Sequence, residues 1–117
     1  LGFPCIKSIS VKESMDVASS CAEYAEADAV LLDTYQKGVP GGTGQRFDWE
    51  LVPPQVAPDI ILAGGLNSDN VADAIRTVRP YAVDVSGGVE SAPGIKDAQK
   101  ISDFAAAVRA ADAERKA

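Results

Sequence analysis

The residues of this sequence that could take part in chemistry lie at the ends of its apolar segments. They are Asp33 after Ala29–Leu32, Gly64 and Gly65 after Ile60–Ala63, and Asp84, Ser86, Gly87 and Gly88 within and after Tyr81–Ser86. In proteins built from parallel strands and helices, functional groups gather at the carboxyl ends of the strands. The sequence therefore predicts one site that combines carboxylates with two glycine-rich turns.

Asp33 is a candidate general acid, because it follows a short and fully apolar run. A carboxyl group at the rim of an apolar strand layer loses hydration, which favours its protonated form and suits proton donation. An aspartate that only caps a loop would occupy the same position. Strand-end position is probabilistic evidence, so the sequence alone leaves both interpretations open.

The glycine pairs Gly64–Gly65 and Gly87–Gly88 predict a phosphate site. Backbone N–H groups at such turns can approach a phosphate without interference from side chains, and the last two strands of a barrel are a usual location. Ordinary turn glycines are the alternative. A third cluster, Gly41–Gly44, matches neither a P-loop nor a dinucleotide fingerprint and predicts a flexible active-site loop.

Asp84 is a second candidate carboxylate, since it stands inside the otherwise apolar segment Tyr81–Ser86. A buried carboxylate is costly unless it is paired or used. A core salt bridge or a solvent-facing position would be structural explanations. Glu90 is assigned to the start of the next helix, where a negative charge is favourable.

Four β-α units must position these residues. Apolar patterning predicts, in order, a strand over Cys5–Val11 with a helix over Glu13–Glu26, a strand over Ala29–Leu32 with a short helix over Phe47–Leu51, a strand over Ile60–Ala63 with a helix capped at Asn67–Asp69, and a strand over Tyr81–Ser86 with a helix over Asp97–Ala111. Right-handed crossovers between such units give either an open doubly wound sheet or an arc of a barrel. A complete barrel needs about 250 residues, so the 117 residues would form roughly half of one.

The composition of the chain argues against several kinds of partner and site. The net charge of -6 disfavours nucleic acid and anionic membranes as partners. No apolar run approaches the roughly 20 residues that span a bilayer. The chain has no histidine, and Cys5 and Cys21 form no metal-binding pair, so a structural zinc site is not expected. Two unpaired thiols suit the cytoplasm.

Four blocks of residues resemble the phosphoribosylanthranilate isomerase family. They are, in order, Leu31–Thr34, Gly41–Gly44 with Phe47–Trp49, Leu62–Asn67 with Asn70–Val71, and Val83–Ser86 with Gly88–Glu90. Pro93–Gly94, Lys96–Asp97 and Lys100–Ile101 extend the likeness to the final helix. The resemblance covers nearly the whole chain, from the fifth strand of the barrel to the eighth.

The resemblance implies an α/β fold, a (β/α)8 TIM barrel of which residues 1–117 form an incomplete C-terminal half. It implies an isomerase of tryptophan biosynthesis that acts on a phosphorylated small molecule by an Amadori rearrangement, with no metal or organic cofactor. By resemblance, Asp33 matches the general acid that protonates the furanose oxygen, and Asp84 matches a substrate-contacting carboxylate. Gly65 and the turn Ser86–Gly88 match the phosphate site, although the family commonly has Ser-Ser-Gly at that turn.

The family's cysteine base, at the end of the first strand, and an arginine after the second strand have no counterpart in this chain. Cys5 does not match that base, because it stands at the start of its strand and a rise of about 3.3 Å per residue places its sulfur at the opposite end. The resemblance therefore implies a missing N-terminal half and no turnover by the chain alone. The implied partner is that half-barrel, or a fused indole-3-glycerol phosphate synthase domain.

Two other hypotheses remain open at the level of sequence. The chain could be a non-catalytic phosphate-binding half-barrel that assembles with itself or with a complementary half. It could also belong to another phosphate-binding barrel, such as indole-3-glycerol phosphate synthase, but the lysine acid expected there is not apparent at these strand ends.

Overall fold

The computed structural model describes residues 5–11, 16–24, 26–33, 35–37, 45–47, 49 and 52–116. In these ranges the elements are, in chain order, β1 (Ile6–Ser10), α1 (Val17–Glu23), β2 (Ala29–Asp33), β3 (Tyr35–Lys37), β4 (Gln45–Phe47), β5 (Ile60–Ala63), α2 (Val71–Val78), β6 (Ala82–Val83), β7 (Glu90–Ala92), β8 (Ile95–Lys96) and α3 (Ala98–Lys116). Short 3₁₀ helices lie at Ala57–Asp59 and Gly87–Val89. None of the described helices is long and apolar enough to cross a membrane.

The main sheet has four parallel strands in the order β1, β2, β5, β6. This order follows the chain without the reversal that defines a doubly wound sheet. Sequential neighbours are what consecutive units of a barrel produce. The predicted α/β class with a parallel sheet is confirmed.

The register of the sheet brings the carboxyl ends of its strands to one level. Asp33 pairs with Ser10 on one side and with Ala63 on the other. Leu62 pairs with Val83, and the backbone N–H of Asp84 donates to the Leu62 carbonyl at 2.9 Å. Residues that end or follow three strands therefore meet at the same edge.

One face of the sheet packs against the helices and forms the core. In β2, Val30 and Leu32 are 9% and 0% exposed, whereas Leu31 and Asp33 on the opposite face are half-buried. The larger buried side chains of this core are Ile9, Val11, Val17, Val30, Leu32, Val52, Ile60, Leu62, Leu66, Val71, Ile75, Val78, Val89 and Phe104. Burial of each such apolar side chain stabilises the fold by about 1.5–3 kcal/mol. Because side chains alternate along a strand, one face of the sheet forms this core and the other is available for a site.

The turn before α2 is fixed by two asparagines that cap each other. The Asn67 side-chain oxygen accepts from the Asn70 backbone N–H at 3.0 Å, and the Asn70 side-chain oxygen accepts from the Asn67 N–H at 2.8 Å. This reciprocal arrangement resembles a capping box, but it lies just before the regular helix. That helix begins at Val71, with Asn70 as its N-cap and no side-chain cap hydrogen bond, so the predicted cap at Asn67–Asp69 was placed too early.

Two short antiparallel pairs were not predicted. β3 pairs with β4 around the predicted loop Gly41–Gly44, which lies outside the described residues. β7 pairs with β8, so Glu90 lies in a strand and the prediction that it begins a helix is wrong. The prediction of a short helix over Phe47–Leu51 is also wrong at Phe47, which belongs to β4. Among the other residues of that predicted helix, only Trp49 is described, and it lies in a 3₁₀ turn.

The last helix runs five residues beyond its predicted end at Ala111, to Lys116. Its predicted apolar face is buried at Phe104, which is 8% exposed, but Ile101 is 47% exposed. α3 packs on α2 and on the 3₁₀ turn Gly87–Val89. Ile101 lies almost one turn before Phe104, and its exposure shows that these partners do not cover the first part of the helix.

Candidate active site

An open cleft of about 820 Å³ lies at the carboxyl edge of the main sheet. It is lined by all seven residues that the sequence nominated, namely Asp33, Gly64, Gly65, Asp84, Ser86, Gly87 and Gly88. Clefts of about 300–1,000 Å³ accommodate small-molecule ligands. The structure therefore brings the predicted residues together in one space of suitable size.

Asp33 reaches this cleft because it is the last residue of β2 and lies on the face opposite the core. Successive side chains of a strand point to opposite faces, so Leu31 and Asp33 line the cleft while Leu32 is buried among the helices. The Asp33 carbonyl oxygen accepts from the Val11 N–H at 2.9 Å. Asp33 is thus half-buried with its backbone held at the rim of the cleft, where its side chain could donate a proton to a ligand.

The first glycine turn leaves β5 through two residues with left-handed backbone angles, φ 104° at Gly64 and φ 66° at Gly65. Residues with a Cβ rarely adopt these angles. The Asn70 side-chain amide donates to the Gly65 carbonyl at 3.0 Å and joins the turn to the start of α2. The turn is therefore held with its backbone beside the cleft.

The second glycine turn touches the first. A Cβ at Gly88 would lie 1.8 Å from the Leu66 carbonyl oxygen and 2.9 Å from its carbon, so only glycine lets the two backbones approach this closely. A Cβ at Gly87 would meet only Glu90 Oε1, at an ordinary 3.7 Å. The expectation that the two glycine pairs converge is met, and Gly88 is the spacer between them.

Asp84 is placed differently from the prediction that it stands inside a buried strand. β6 ends at Val83, and Asp84 follows it as an exposed residue at the cleft. Among the described strands β6 is paired only with β5, so no neighbour on its other side shields the residues that follow. The burial argument for Asp84 is wrong, and its role in binding stays a prediction.

Sequence reasoning missed several residues of the cleft wall, among them Ser8, Asn67, Ser68, Asp69 and Lys100. Lys100 is the one cation among the described lining residues, against three aspartates. Its ammonium group donates to the Glu90 carbonyl at 2.8 Å, and its backbone N–H donates to the Asp97 carboxylate at 3.0 Å. The sequence places Lys100 shortly after the second glycine turn and in the first turn of a predicted helix. That position could have indicated that Lys100 lies at the cleft.

Both cysteines lie away from the cleft. Cys5 is exposed at the amino end of β1, where its backbone N–H donates to the Asp28 carboxylate at 2.6 Å. Cys21 lies in α1 beside a second cavity of about 620 Å³, and burial raises the pKa of its thiol. Neither thiol can reach a ligand at the carboxyl edge, which agrees with the expectation for Cys5.

The family model for N-(5'-phosphoribosyl)anthranilate isomerase matches residues 1–107. The chain belongs to the phosphoribosylanthranilate isomerase family. Its relative from Thiobacillus denitrificans, named N-(5'-phosphoribosyl)anthranilate isomerase, is 57% identical over 109 residues, which are 93% of this chain and 53% of the relative. A relative of the same name from Pseudomonas fluorescens is 60% identical over 91% of this chain and 50% of its own length.

Solved structures of the family have the same fold. The isomerase from Thermotoga maritima superposes with a TM-score of 0.75 and 38% identity, over 93% of this chain and 53% of that one. A second isomerase structure, in complex with reduced 1-(o-carboxyphenylamino)-1-deoxyribulose 5-phosphate, gives a TM-score of 0.67 and 40% identity over 86% of this chain and 46% of that one. The chain thus spans about half the length of the relatives that it matches.

Proposed function

We propose that this chain supplies the general acid and the phosphate site of a phosphoribosylanthranilate isomerase of tryptophan biosynthesis. The reaction converts N-(5-phosphoribosyl)anthranilate to 1-(2-carboxyphenylamino)-1-deoxyribulose 5-phosphate. The observation that carries the proposal is the single cleft, at the carboxyl edge of the sheet, that is lined by Asp33 and by both glycine turns. Free thiols at Cys5 and Cys21 support a location in the cytoplasm.

The proposed phosphate site and Asp33 both line the cleft. Neighbouring strands lie about 4.8 Å apart, so Asp33 and Asp84, at the ends of strands two positions apart, are separated by roughly 10 Å across the sheet. The substrate phosphate would bind at the turns that follow β5 and β6, through backbone N–H groups. Its ribose would then lie over the sheet edge, within reach of Asp33.

Asp33 would start the reaction by donating a proton to the furanose oxygen. The bond between that oxygen and C1 breaks, the ring opens, and an iminium forms between C1 and the anthranilate nitrogen. Loss of the C2 proton then gives an enol-amine that tautomerises to the ketose. The C2 proton needs a base. The cysteine base that the resemblance to the family leads one to expect has no counterpart here, since neither Cys5 nor Cys21 lies at the cleft.

We therefore assign that base to a complementary N-terminal half-barrel, in the same polypeptide or another one. The length of the relatives supports this assignment, since the chain matches 53% of the Thiobacillus denitrificans isomerase. An indole-3-glycerol phosphate synthase domain could be fused to such a polypeptide without altering the roles of these residues.

The direct test is reconstitution with the N-terminal half of the Thiobacillus denitrificans relative. The chain alone should give no turnover, and mixing or fusing the two halves should restore some. Substantial activity from the 117 residues alone would contradict the assignment of the base.

In the reconstituted enzyme, Asp33→Asn should lower kcat by about 10²–10⁴-fold, because the amide cannot release a proton to the ring oxygen. KM and the melting temperature should change little. Asp69→Asn is the matched control, since Asp69 also lines the cleft but is exposed on the turn before α2. If Asp33 only caps a loop, stability falls by about 0.5–2 kcal/mol and kcat stays near normal.

The edges of the sheet favour a second candidate, a phosphate-binding half-barrel that associates without catalysis. Among the described strands β1 and β6 are each paired on one side only. Ile6 in β1 is 60% exposed, and Tyr81 just before β6 is 78% exposed. Unpaired edges with apolar side chains promote association. Sedimentation separates the candidates: under this second function the chain forms a stable assembly with itself that binds phosphate, and adding the N-terminal half yields no turnover.

A further inference from the structure

The turn that carries Ser86 and Gly87 is held by an ammonium group. Lys96 Nζ donates to the Ser86 carbonyl oxygen at 3.0 Å and to Glu90 Oε2 at 3.0 Å, and it lies 3.5 Å from Ser86 Oγ. An ammonium group has three N–H donors. Each donor of Lys96 therefore has an acceptor, and two of the three acceptors belong to Ser86.

This contact lies outside the cleft. Neither Lys96 nor Glu90 lines the cleft, although Ser86 and Gly87 both do. The Glu90 side chain is 18% exposed, and its Oε1 lies 3.7 Å from the position that a Cβ of Gly87 would take. Lys100 Nζ donates to the Glu90 carbonyl at 2.8 Å, which fixes the backbone that carries this carboxylate.

The position of the Ser86 carbonyl also determines the direction of the next backbone donor, the Gly87 N–H. The peptide bond between Ser86 and Gly87 is trans, as are all the described peptide bonds. In a planar trans peptide the C=O and the N–H point in opposite directions. The Ser86 carbonyl accepts from Lys96 Nζ at 3.0 Å and from the Val89 backbone N–H at 3.3 Å, and neither of these donor residues lines the cleft. The Gly87 N–H points away from these donors, on the side on which Gly87 lines the cleft.

We propose that Lys96, held by Glu90, is a positioning residue that directs the Gly87 N–H at the substrate phosphate. This inference rests on the proposed phosphate site and adds the residues that orient one of its donors. Lys96 acts through the backbone of the turn and does not touch the substrate.

The competing explanation is an ordinary surface ion pair, which contributes little to stability and nothing to binding. Arg76 provides the matched control for that explanation. Its side chain is 48% exposed, as is that of Lys96, and it donates to Glu114 at 2.8 Å, away from the cleft. Lys96→Met and Arg76→Met each remove one positive charge from a partly exposed ion pair, but only the first removes a donor from the Ser86 carbonyl, which then keeps only the longer bond from the Val89 N–H at 3.3 Å.

The test is a titration of the 117-residue chain with inorganic phosphate, followed by calorimetry and by the amide resonance of Gly87. The Gly87 resonance should shift on addition of phosphate to the wild type. In Lys96→Met that shift should disappear and the affinity should fall by about 10- to 100-fold, the range for one hydrogen bond to a charged group. Arg76→Met should bind like the wild type.

The outcomes separate this inference from the function on which it rests. If the wild type binds phosphate and Lys96→Met binds equally well with the same Gly87 shift, the positioning role is wrong and the phosphate site stands. If the wild type shows no binding at Gly87, the phosphate site itself is wrong. Should Lys96→Met fail to fold, Glu90→Gln decides, since the loss of its charge should also weaken binding, and unchanged affinity would refute the role.

Discussion

Replacing Gly88 with alanine should force the two glycine turns apart. The new Cβ would stand 1.8 Å from the Leu66 carbonyl oxygen and 3.0 Å from the Asn67 Cα. Ordinary contact begins at 3.4 Å, so the turns must separate by about 1.6 Å, which is 3.4 Å less 1.8 Å. The obstacle is backbone on both sides, so a change of side-chain rotamer cannot relieve it.

The expected cost lies at the upper end of the range for overpacking. Extra methyl groups in a packed region cost about 1–3 kcal/mol, and we expect about 3 kcal/mol here because backbone must move. For a chain of this length that corresponds to a fall in Tm on the order of 10 °C. Phosphate affinity should fall as well, since donors displaced by more than about 1 Å leave hydrogen-bonding range.

Gly87→Ala is the control for this variant, because it makes the same chemical change one residue earlier. Its Cβ meets only Glu90 Oε1, at 3.7 Å, and Gly87 is not among the described glycines with positive φ. We expect it to be neutral or to stabilise the chain by up to about 1 kcal/mol through the unfolded state. Thermal melts and phosphate titrations of both variants make the comparison. Equal melting temperatures would refute the contact between the two turns.

Two further predictions concern stability. Leu32→Ala should destabilise the chain by about 2–5 kcal/mol, because Leu32 is 0% exposed in the core. Leu31→Ala, on the cleft face, should destabilise it much less. Denaturant unfolding of both variants tests which face of β2 belongs to the core. Hydrogen bonds from Arg76 lower the pKa of Glu114 below its ordinary 4.5, so their stabilising effect is present above that pH and is lost as the pH falls through the lowered pKa. Glu114→Gln should therefore lower Tm near neutral pH and flatten its decline in acid, and an unchanged Tm profile would show that this pair does not contribute.

The carboxyl edge of the sheet was predictable because short buried strands have a strong local signal. Ala29–Leu32 and Ile60–Ala63 are continuous apolar runs, and they became β2 and β5 with a difference of one residue, Asp33. Parallel connections then bring all strand ends to one side. The position of a residue after such a run was therefore enough to place it at the cleft.

The remaining features depend on pairing between segments and leave little trace in local sequence. β3, β4, β7 and β8 have two or three residues each, too few for a period to be visible. β6 has only two residues and, among the described strands, is paired with β5 alone, so Asp84 after it is exposed. The contact between Gly88 and Leu66 joins turns that lie far apart along the chain, and no local pattern indicates which glycine of the pair it requires.

The second glycine turn has an unusual sequence, and its backbone is held at two points. This chain has Ser86-Gly87-Gly88 where its resemblance to the family leads one to expect Ser-Ser-Gly, so residue 87 has no hydroxyl to offer a ligand and has more backbone freedom. That freedom is limited on both sides, by Lys96 on the Ser86 carbonyl and by Leu66 against Gly88. The Gly87 N–H lies between these two fixed positions, so its direction does not depend on a side chain at residue 87. Residues behind the turn should consequently affect phosphate binding more than the exposed Ser86 hydroxyl does, and Ser86→Ala should be milder than Lys96→Met.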